Sequence, residues 1–482
     1  MRNRLLKSLP FLLIAVLLFS YTFYRAYHFS LTHDEGSSFL NHMQRGMIEC
    51  MFDPGCWDAA NNHLLNSKGM AISTHLFGDW EWALRLPNLL GHLLYLTSSF
   101  VIAYTLSSRY WVRLFGFILF NCQPVLLEFF GLARGYALGA SFELASLCCL
   151  VLFFTLKNYR WLIAGLLSGL LAVYSNFTFI PFFVALISAV SVVLLMRKKS
   201  FIPKQMKFAW LSLLFFSILM VVTTYIPVTT LSKNAEFQYG IGSLFDAFQS
   251  LQHENLFRLE WLGNHSVFYF TAGFLILSLL SIVVALRNEW LLQKTNKIHF
   301  SVALILILMI LFLASSHYLL GAQYPDGRKM IVFIPVLCML IYQLFIVAAG
   351  RWSLVVSVIS ILLSILFVDH LRYAANFEHT RTWYYDGQTK KFLLDLKADM
   401  EKRKAHPSIG IHWVFSPASK YYIQTRQIQF LKVERLDEIK MDTTFDYYYV
   451  DHNDTSKLSR QYHIFEQNGP FFMMERNTIS SQ

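Results

Sequence analysis

Apolar residues along this chain come in long blocks, without the alternation of half-buried strands. Most blocks run about 18 to 22 residues, enough for a helix to cross roughly 30 Å of hydrocarbon. The blocks predict eleven membrane helices, near residues 8–27, 86–106, 114–131, 136–156, 161–176, 178–196, 208–229, 266–286, 300–320, 330–349 and 352–368. The first block, "FLLIAVLLFSYTFY", follows a basic segment as a signal peptide would. No small-residue cleavage site comes after it, so it reads as a retained helix. In "HLLNSKGMAISTHLF" (63–77), apolar residues recur at spacings of three and four, which predicts an amphipathic helix along the outer membrane surface.

Past Asp369 the membrane pattern stops. Residues 369–482 carry near-balanced charge, a helical stretch "KKFLLDLKADMEKRK", and the short runs "IGIHWVF", "IQFLKV" and "FDYYYV". They predict a small α/β domain whose aromatics form its own core. The expected organisation is therefore a membrane domain over 1–368 and an extracytoplasmic α/β domain over 369–482, with a long first outer loop at 28–85.

Composition agrees with this class: 55% of the 482 residues are hydrophobic and 15% charged, against about 25% charged in a soluble protein. The formal charge of +11 changes the picture only through its placement. Arg109, Arg113, Lys157, Arg160, Arg197, Lys198, Lys199, Lys204, Lys207, Arg287, Lys294, Lys297 and Arg351 fall in alternate short connections, and Arg2, Arg4 and Lys7 precede the first span. By the positive-inside rule the N-terminus is cytoplasmic, and an odd number of spans puts the C-terminus outside. This is a topology signal and excludes a nucleic-acid footprint. No internal repeat is evident, which argues against an inverted-repeat transporter.

Cys122, Cys148, Cys149 and Cys338 fall inside predicted helices as small core hydrophobes. Cys50 and Cys56, in "CMFDPGC" of the first outer loop, leave two readings open: a disulfide in an oxidising exterior, or two free thiols.

The chemistry is concentrated at outer helix ends. "LTHDEGSSFLNH" (31–42) places Asp34 and Glu35 just past the first span, and "FGDWEWALRLPNLLG" brings Arg85 and Pro87 to the second. Asp34 and Glu35, the "nH-L" stretch at His63, and "alRLPn" together resemble the polyprenyl-phosphate-dependent glycosyltransferases of the GT-C fold. That group includes the protein O-mannosyltransferases and the lipid A aminoarabinose transferases. The resemblance continues in "EFFGLARGYALGASFEL" (128–144), similar to the group's "eaRmYaL", and in "YPDGRKMIVFIPVL" (324–337), similar to its "RYllpllP". The motifs occur in order across nearly the whole membrane part.

The resemblance implies a GT-C membrane scaffold, and a compact chain without eukaryotic retention signals places it in the bacterial inner membrane. A sugar would pass from a polyprenyl-phosphate donor to an extracytoplasmic lipid, glycan or protein acceptor, with inversion. It implies Asp34 as general base, with Glu35 its acidic neighbour. Arg85, Arg134 with Tyr136, Arg328 and Lys329 would bind the departing phosphate, and His63 would lie near the substrate. Two positions depart from the pattern: Lys329 stands where a Tyr commonly follows the Arg, and Asn176 where a His is common. Plainer readings stand beside these. Thr32 or Asp34 could N-cap a helix, Arg85 could snorkel, and Arg328 and Lys329 could anchor a span. A divalent metal is left open: His33 and His42 beside the acids match no zinc spacing. The rival class is a lipid or solute transporter or flippase, for which Glu143 is the clear mid-span acid.

Overall fold

The structure, a computed structural model, describes residues 2–196, 203–256, 265–290, 297–439 and 445–477. Arg197, Lys198, Lys199 and Lys294, and the side chains of Arg2, Arg4, Lys7 and Lys204, lie outside the described residues.

Among the described residues, nine helices are long and apolar enough to cross a membrane, and ten if a bent pair counts as one span. The chain is an integral membrane protein. The nine are Ser8–His28, Glu81–Leu106, Gly135–Leu156, Phe177–Met196, Gln205–Lys233, Val267–Asn288, Lys297–Leu320, Gly327–Arg351 and Ser353–Ala374. The other two expected segments differ from simple spans for local reasons. The segment predicted at 114–131 splits into Tyr110–Asn121 and Pro124–Phe130, bent by 58°. Pro124 has no N–H to donate, and it drives Gln123 to an extended conformation (φ −103°, ψ 108°). The segment predicted at 161–176 is the 17-residue helix Tyr159–Ser175, about 26 Å long at 1.5 Å per residue. It stops where Asn176 turns extended and its side chain accepts the Thr178 N–H, which begins the next element.

Two compact units emerge from the contacts. The first comprises Met1–Tyr24, Arg45–Gly69 and Arg85–Ala375. Its most deeply buried helices are Gly135–Leu156 and Gly327–Arg351. Small residues let neighbours approach: the Tyr342 ring lies where a Cβ on Gly116 would sit, and the Tyr342 hydroxyl donates to the Ala103 carbonyl at 3.1 Å. The loop near residue 50 is closed by a Cys50–Cys56 disulfide. Beside it Trp57 donates to the Cys50 carbonyl at 2.7 Å and stacks on Phe177.

The second unit is assembled from Arg25–Gln44, Met70–Leu84 and Asn376–Gln482. Its centre is a five-stranded sheet in the order β2-β1-β3-β5-β4, from β1 (Ser408–His412), β2 (Lys432–Leu436), β3 (Tyr447–Asp451), β4 (Tyr462–Asn468) and β5 (Phe471–Arg476). β1 runs parallel to β2 and β3, while β5 is antiparallel to β3 and β4. Tyr448 and Tyr449 of β3 are fully buried. On one face Tyr448 packs with Leu436, Phe445, Tyr462 and Met474; on the other Tyr449 stacks on Phe415 at 4.1 Å. The helix Thr389–Arg403 buries Phe392, Leu393 and Leu396. The β4–β5 hairpin turns at Gly469-Pro470, with Gly469 at φ +55° and Asn468 paired with Phe471.

Candidate active site

The acidic pair begins the nine-residue helix His33–Asn41 of the second unit. Thr32 is its N-cap, with its hydroxyl accepting the Glu35 N–H at 3.3 Å while the Glu35 carboxylate accepts the Thr32 N–H at 3.0 Å. This reciprocal capping box satisfies two donors that a helix start otherwise leaves orphaned. The two acids thereby take different positions. Glu35 is fully buried and spends one oxygen on the cap, whereas Asp34, one residue earlier, is half-buried.

Partners from far along the chain surround this helix start. The His33 N–H donates to Asp386 Oδ2 at 2.6 Å, and the His33 ring lies 2.7 Å from the Val414 carbonyl through Nδ1. The Leu31 N–H donates to the Tyr422 hydroxyl at 2.7 Å. Gly36 meets the start of helix Ser416–Thr425 so closely that a Cβ there would sit 2.6 Å from the Pro417 carbonyl. A larger residue in "DEGSS" would push the helices apart.

Asp386 was not among the residues singled out from sequence. It ends a short turn, Tyr384–Asp386, and is 1% exposed. Its carboxyl is held well above the usual carboxylate range, chiefly by burial and further by the nearby negative charges of Asp34 and Glu35; the His33 N–H and Thr389 oppose the shift. Asp386 therefore holds its proton more readily than an ordinary carboxyl. A second buried acid, Glu81, is also new. It pairs with Lys390 at 2.9 Å and with Arg426 at 3.0 Å. Arg426 additionally donates to the Asp79 carbonyl at 3.2 Å and lies over the Trp80 ring.

The remaining expected residues lie in the first unit. Arg134 donates to Asn61 Oδ1 and sits 5.9 Å from the Tyr136 ring centre. His63 meets the same Tyr136 ring edge-on at 5.4 Å. The structure therefore gathers His63, Arg134 and Tyr136 into one cluster. Gly135 is required at its heart, because a Cβ there would fall 1.8 Å from the Ser175 carbonyl oxygen. Asn66 fastens the cluster by donating to the Ala133 carbonyl at 3.0 Å and accepting from Asn88 at 2.7 Å. Arg85 and Arg134 are almost completely buried, so neither is a snorkelling surface cation. Lys329 is half-buried and tied to Asp326 at 3.0 Å and to the Tyr239 carbonyl at 2.9 Å, while Arg328 beside it is half-buried. Asn176 is spent on its local turn. Among the described residues no three His, Cys, Asp or Glu side chains converge as a metal site would require.

No protein-family model matches the chain, and no curated protein matches it. Among solved structures, ArnT of Cupriavidus metallidurans in its apo state aligns with a TM-score of 0.53 and 12% identity over 97% of both chains. The same protein bound to undecaprenyl phosphate aligns at 0.49 and 13% identity over 98% of both. The arabinosyltransferase EmbB of Mycobacterium smegmatis aligns at 0.43 and 13% identity over 69% of this chain and 30% of its own. At such identities the apo ArnT match is a likeness of fold. The chain has the GT-C fold, the one its ordered motifs resemble.

Proposed function

We propose that this protein is a membrane glycosyltransferase that moves one sugar from a polyprenyl-phosphate donor to an acceptor outside the cytoplasm, in a bacterial inner membrane with the N-terminus inside. The observation that carries the reading is Asp34: a half-buried carboxylate on the first turn of a capped helix, beside a neighbour already committed to the cap. The acceptor oxygen attacks the anomeric carbon as its proton passes to the Asp34 carboxylate. The bond from that carbon to the phosphate oxygen breaks, and the lipid phosphate leaves with the electron pair. A single displacement inverts the configuration.

Arg85, Arg134, Arg328 and Lys329, with the Tyr136 hydroxyl, are the donors for the phosphate as its charge grows. Asn61 on Arg134 and Asp326 on Lys329 hold those cations in fixed orientations before the donor arrives. Glu35 orients the loop through its cap, and His63 sets the position of Tyr136.

The test is transfer of labelled sugar from membrane-borne polyprenyl-phosphate sugars by wild type and Asp34→Asn at equal protein levels. Turnover by wild type alone, with donor binding intact in the variant, supports the reading. Equal turnover removes Asp34 from the mechanism. One observation favours a transporter instead: Glu143 is fully buried mid-span in Gly135–Leu156, and neither of its oxygens has a hydrogen-bond partner among the described residues. That reading predicts substrate movement abolished by Glu143→Gln and untouched by Asp34→Asn.

A further inference from the structure

We propose that Asp386 is a positioning residue for the transfer reaction: its carboxyl grips the first turn of helix His33–Asn41 and so fixes where the Asp34 carboxylate points. The inference deepens the glycosyltransferase reading and rests on it for its kinetic consequence.

The helix is only nine residues long. A helix of that length has little stability of its own in water, so its direction depends on what holds it. Its start exposes N–H groups that no turn of the same helix can use. Thr32 takes the Glu35 N–H, and Asp386 takes the His33 N–H at 2.6 Å, the shorter of the two bonds. The His33 N–H belongs to the Thr32–His33 peptide, one plane ahead of the one that ends at the Asp34 Cα, so the Asp386 bond pins the backbone immediately before Asp34.

Asp386 is in turn held. It is 1% exposed, its own N–H donates to the Trp383 carbonyl at 3.1 Å, and Thr389 reaches its second oxygen at 3.5 Å. Thr389 lies 3.0 Å from the Tyr449 hydroxyl of the central strand β3. A chain of contacts thus runs from the sheet through Thr389 and Asp386 to the backbone beside Asp34. Tyr422, reaching the Leu31 N–H, and the Val414 carbonyl, reaching the His33 ring, bracket the same segment. Asp386, Thr389, Val414, Tyr422 and Tyr449 all lie beyond residue 385, so this part of the chain acts as the jig for an acid near residue 34.

A simple structural role would be met by any residue that fills the space. The role proposed here needs an acceptor oxygen at the position of Oδ2. Asparagine supplies one and leucine does not, although both are close to aspartate in size. The full-length protein in detergent or nanodiscs would be compared as wild type, Asp386→Leu, Asp386→Asn and Asp34→Asn. Two measurements are made: steady-state transfer with kcat and KM separated, and hydrogen–deuterium exchange of the peptide covering 31–41.

For Asp386→Leu we expect faster exchange in that peptide and a kcat about 10- to 100-fold lower, the scale of a misplacement near 1 Å, with KM within about twofold of wild type. Asp386→Asn should recover most of both. Exchange in 31–41 unchanged by leucine would overturn the proposal whatever the activity. So would faster exchange with undiminished kcat, when Asp34→Asn in the same assay is inactive, or a kcat loss that asparagine fails to rescue. If wild type transfers no sugar from any donor, it is the glycosyltransferase reading that fails, and the exchange result still decides whether Asp386 holds the helix.

Discussion

Replacing Gly36 with alanine tests the close approach that seats the acid-bearing helix. On a free helix this change would stabilise, because alanine is favoured over glycine by about 1 kcal/mol. Here the added methyl would lie 2.6 Å from both the carbonyl carbon and oxygen of Pro417 and 2.8 Å from the Ala418 nitrogen. Ordinary contact is about 3.4 Å, so the helices must separate by roughly 0.8 Å. The obstructing atoms belong to the backbone of a helix whose second residue is a proline, and no side-chain rotation relieves them. Overpacking of this kind costs about 1–3 kcal/mol. Set against the propensity gain, the net loss should be about 0–2 kcal/mol. The displacement should matter more for chemistry, since Asp34 lies two residues away and a shift approaching 1 Å reduces turnover by about 10- to 100-fold. Thermal unfolding of the purified protein and labelled-sugar transfer would be measured on one preparation. A Gly36→Ala protein that melts above wild type and keeps full turnover would refute the reasoning.

Asp386 gives a stability test with a definite sign. Its folded carboxyl titrates above the unfolded value of about 3.9, so the native state binds the extra proton and stability falls as pH rises from there through the folded value. Asp386→Asn lacks this loss, and its melting temperature relative to wild type should climb as pH rises above about 4; a constant difference would contradict the burial argument. Glu81→Gln removes the charge that both Lys390 and Arg426 face, and should cost about 2 kcal/mol in unfolding experiments, less than the 3–5 of a fully buried pair because both cations retain some water. Reduction of Cys50–Cys56, or Cys50→Ser, should lower stability by about 2 kcal/mol for so short a loop, with the bond itself checked by mass spectrometry without reductant. Gly135→Ala should prevent the His63–Tyr136 cluster from forming, because the Ser175 carbonyl occupies the space of the methyl; a folded, donor-binding variant would argue against the cluster's role.

What the sequence discloses is mainly what local patterning determines. The apolar blocks locate the spans because hydrocarbon thickness sets a length, and the spacing in 63–77 matches the helix Leu64–Phe77. Thr32 and Glu35 form the cap that their three-residue spacing suggests. The break at Pro124 was legible in principle, since the residue before a proline resists helix, but hydropathy alone runs straight across it. The "NGP" at 468–470 is likewise a hairpin signal, since Gly469 takes the positive φ that the turn requires. Asp386 and Glu81 are different. Nothing in "YYDGQT" or "DWEWA" distinguishes either acid from a solvated one. Their burial and partners arise from contacts across some three hundred residues or more, which no local pattern encodes.

The order in which the second unit is made carries one more consequence. Its acid-bearing helix leaves the ribosome well before the helix that Gly36 packs against, which begins with Ser416. At synthesis rates of about 5–20 residues per second, the roughly 380 residues between them occupy about 20 s to over a minute. Throughout that interval a nine-residue helix must wait without the surface that orders it, while nearly all the membrane segments are inserted. A chain truncated late in translation would therefore have its scaffold in the bilayer but no ordered acid. Synthesis of the segment from Ser416 onward is the step that seats this helix, and chains truncated before it should leave residues 33–41 unordered long before they fail to insert.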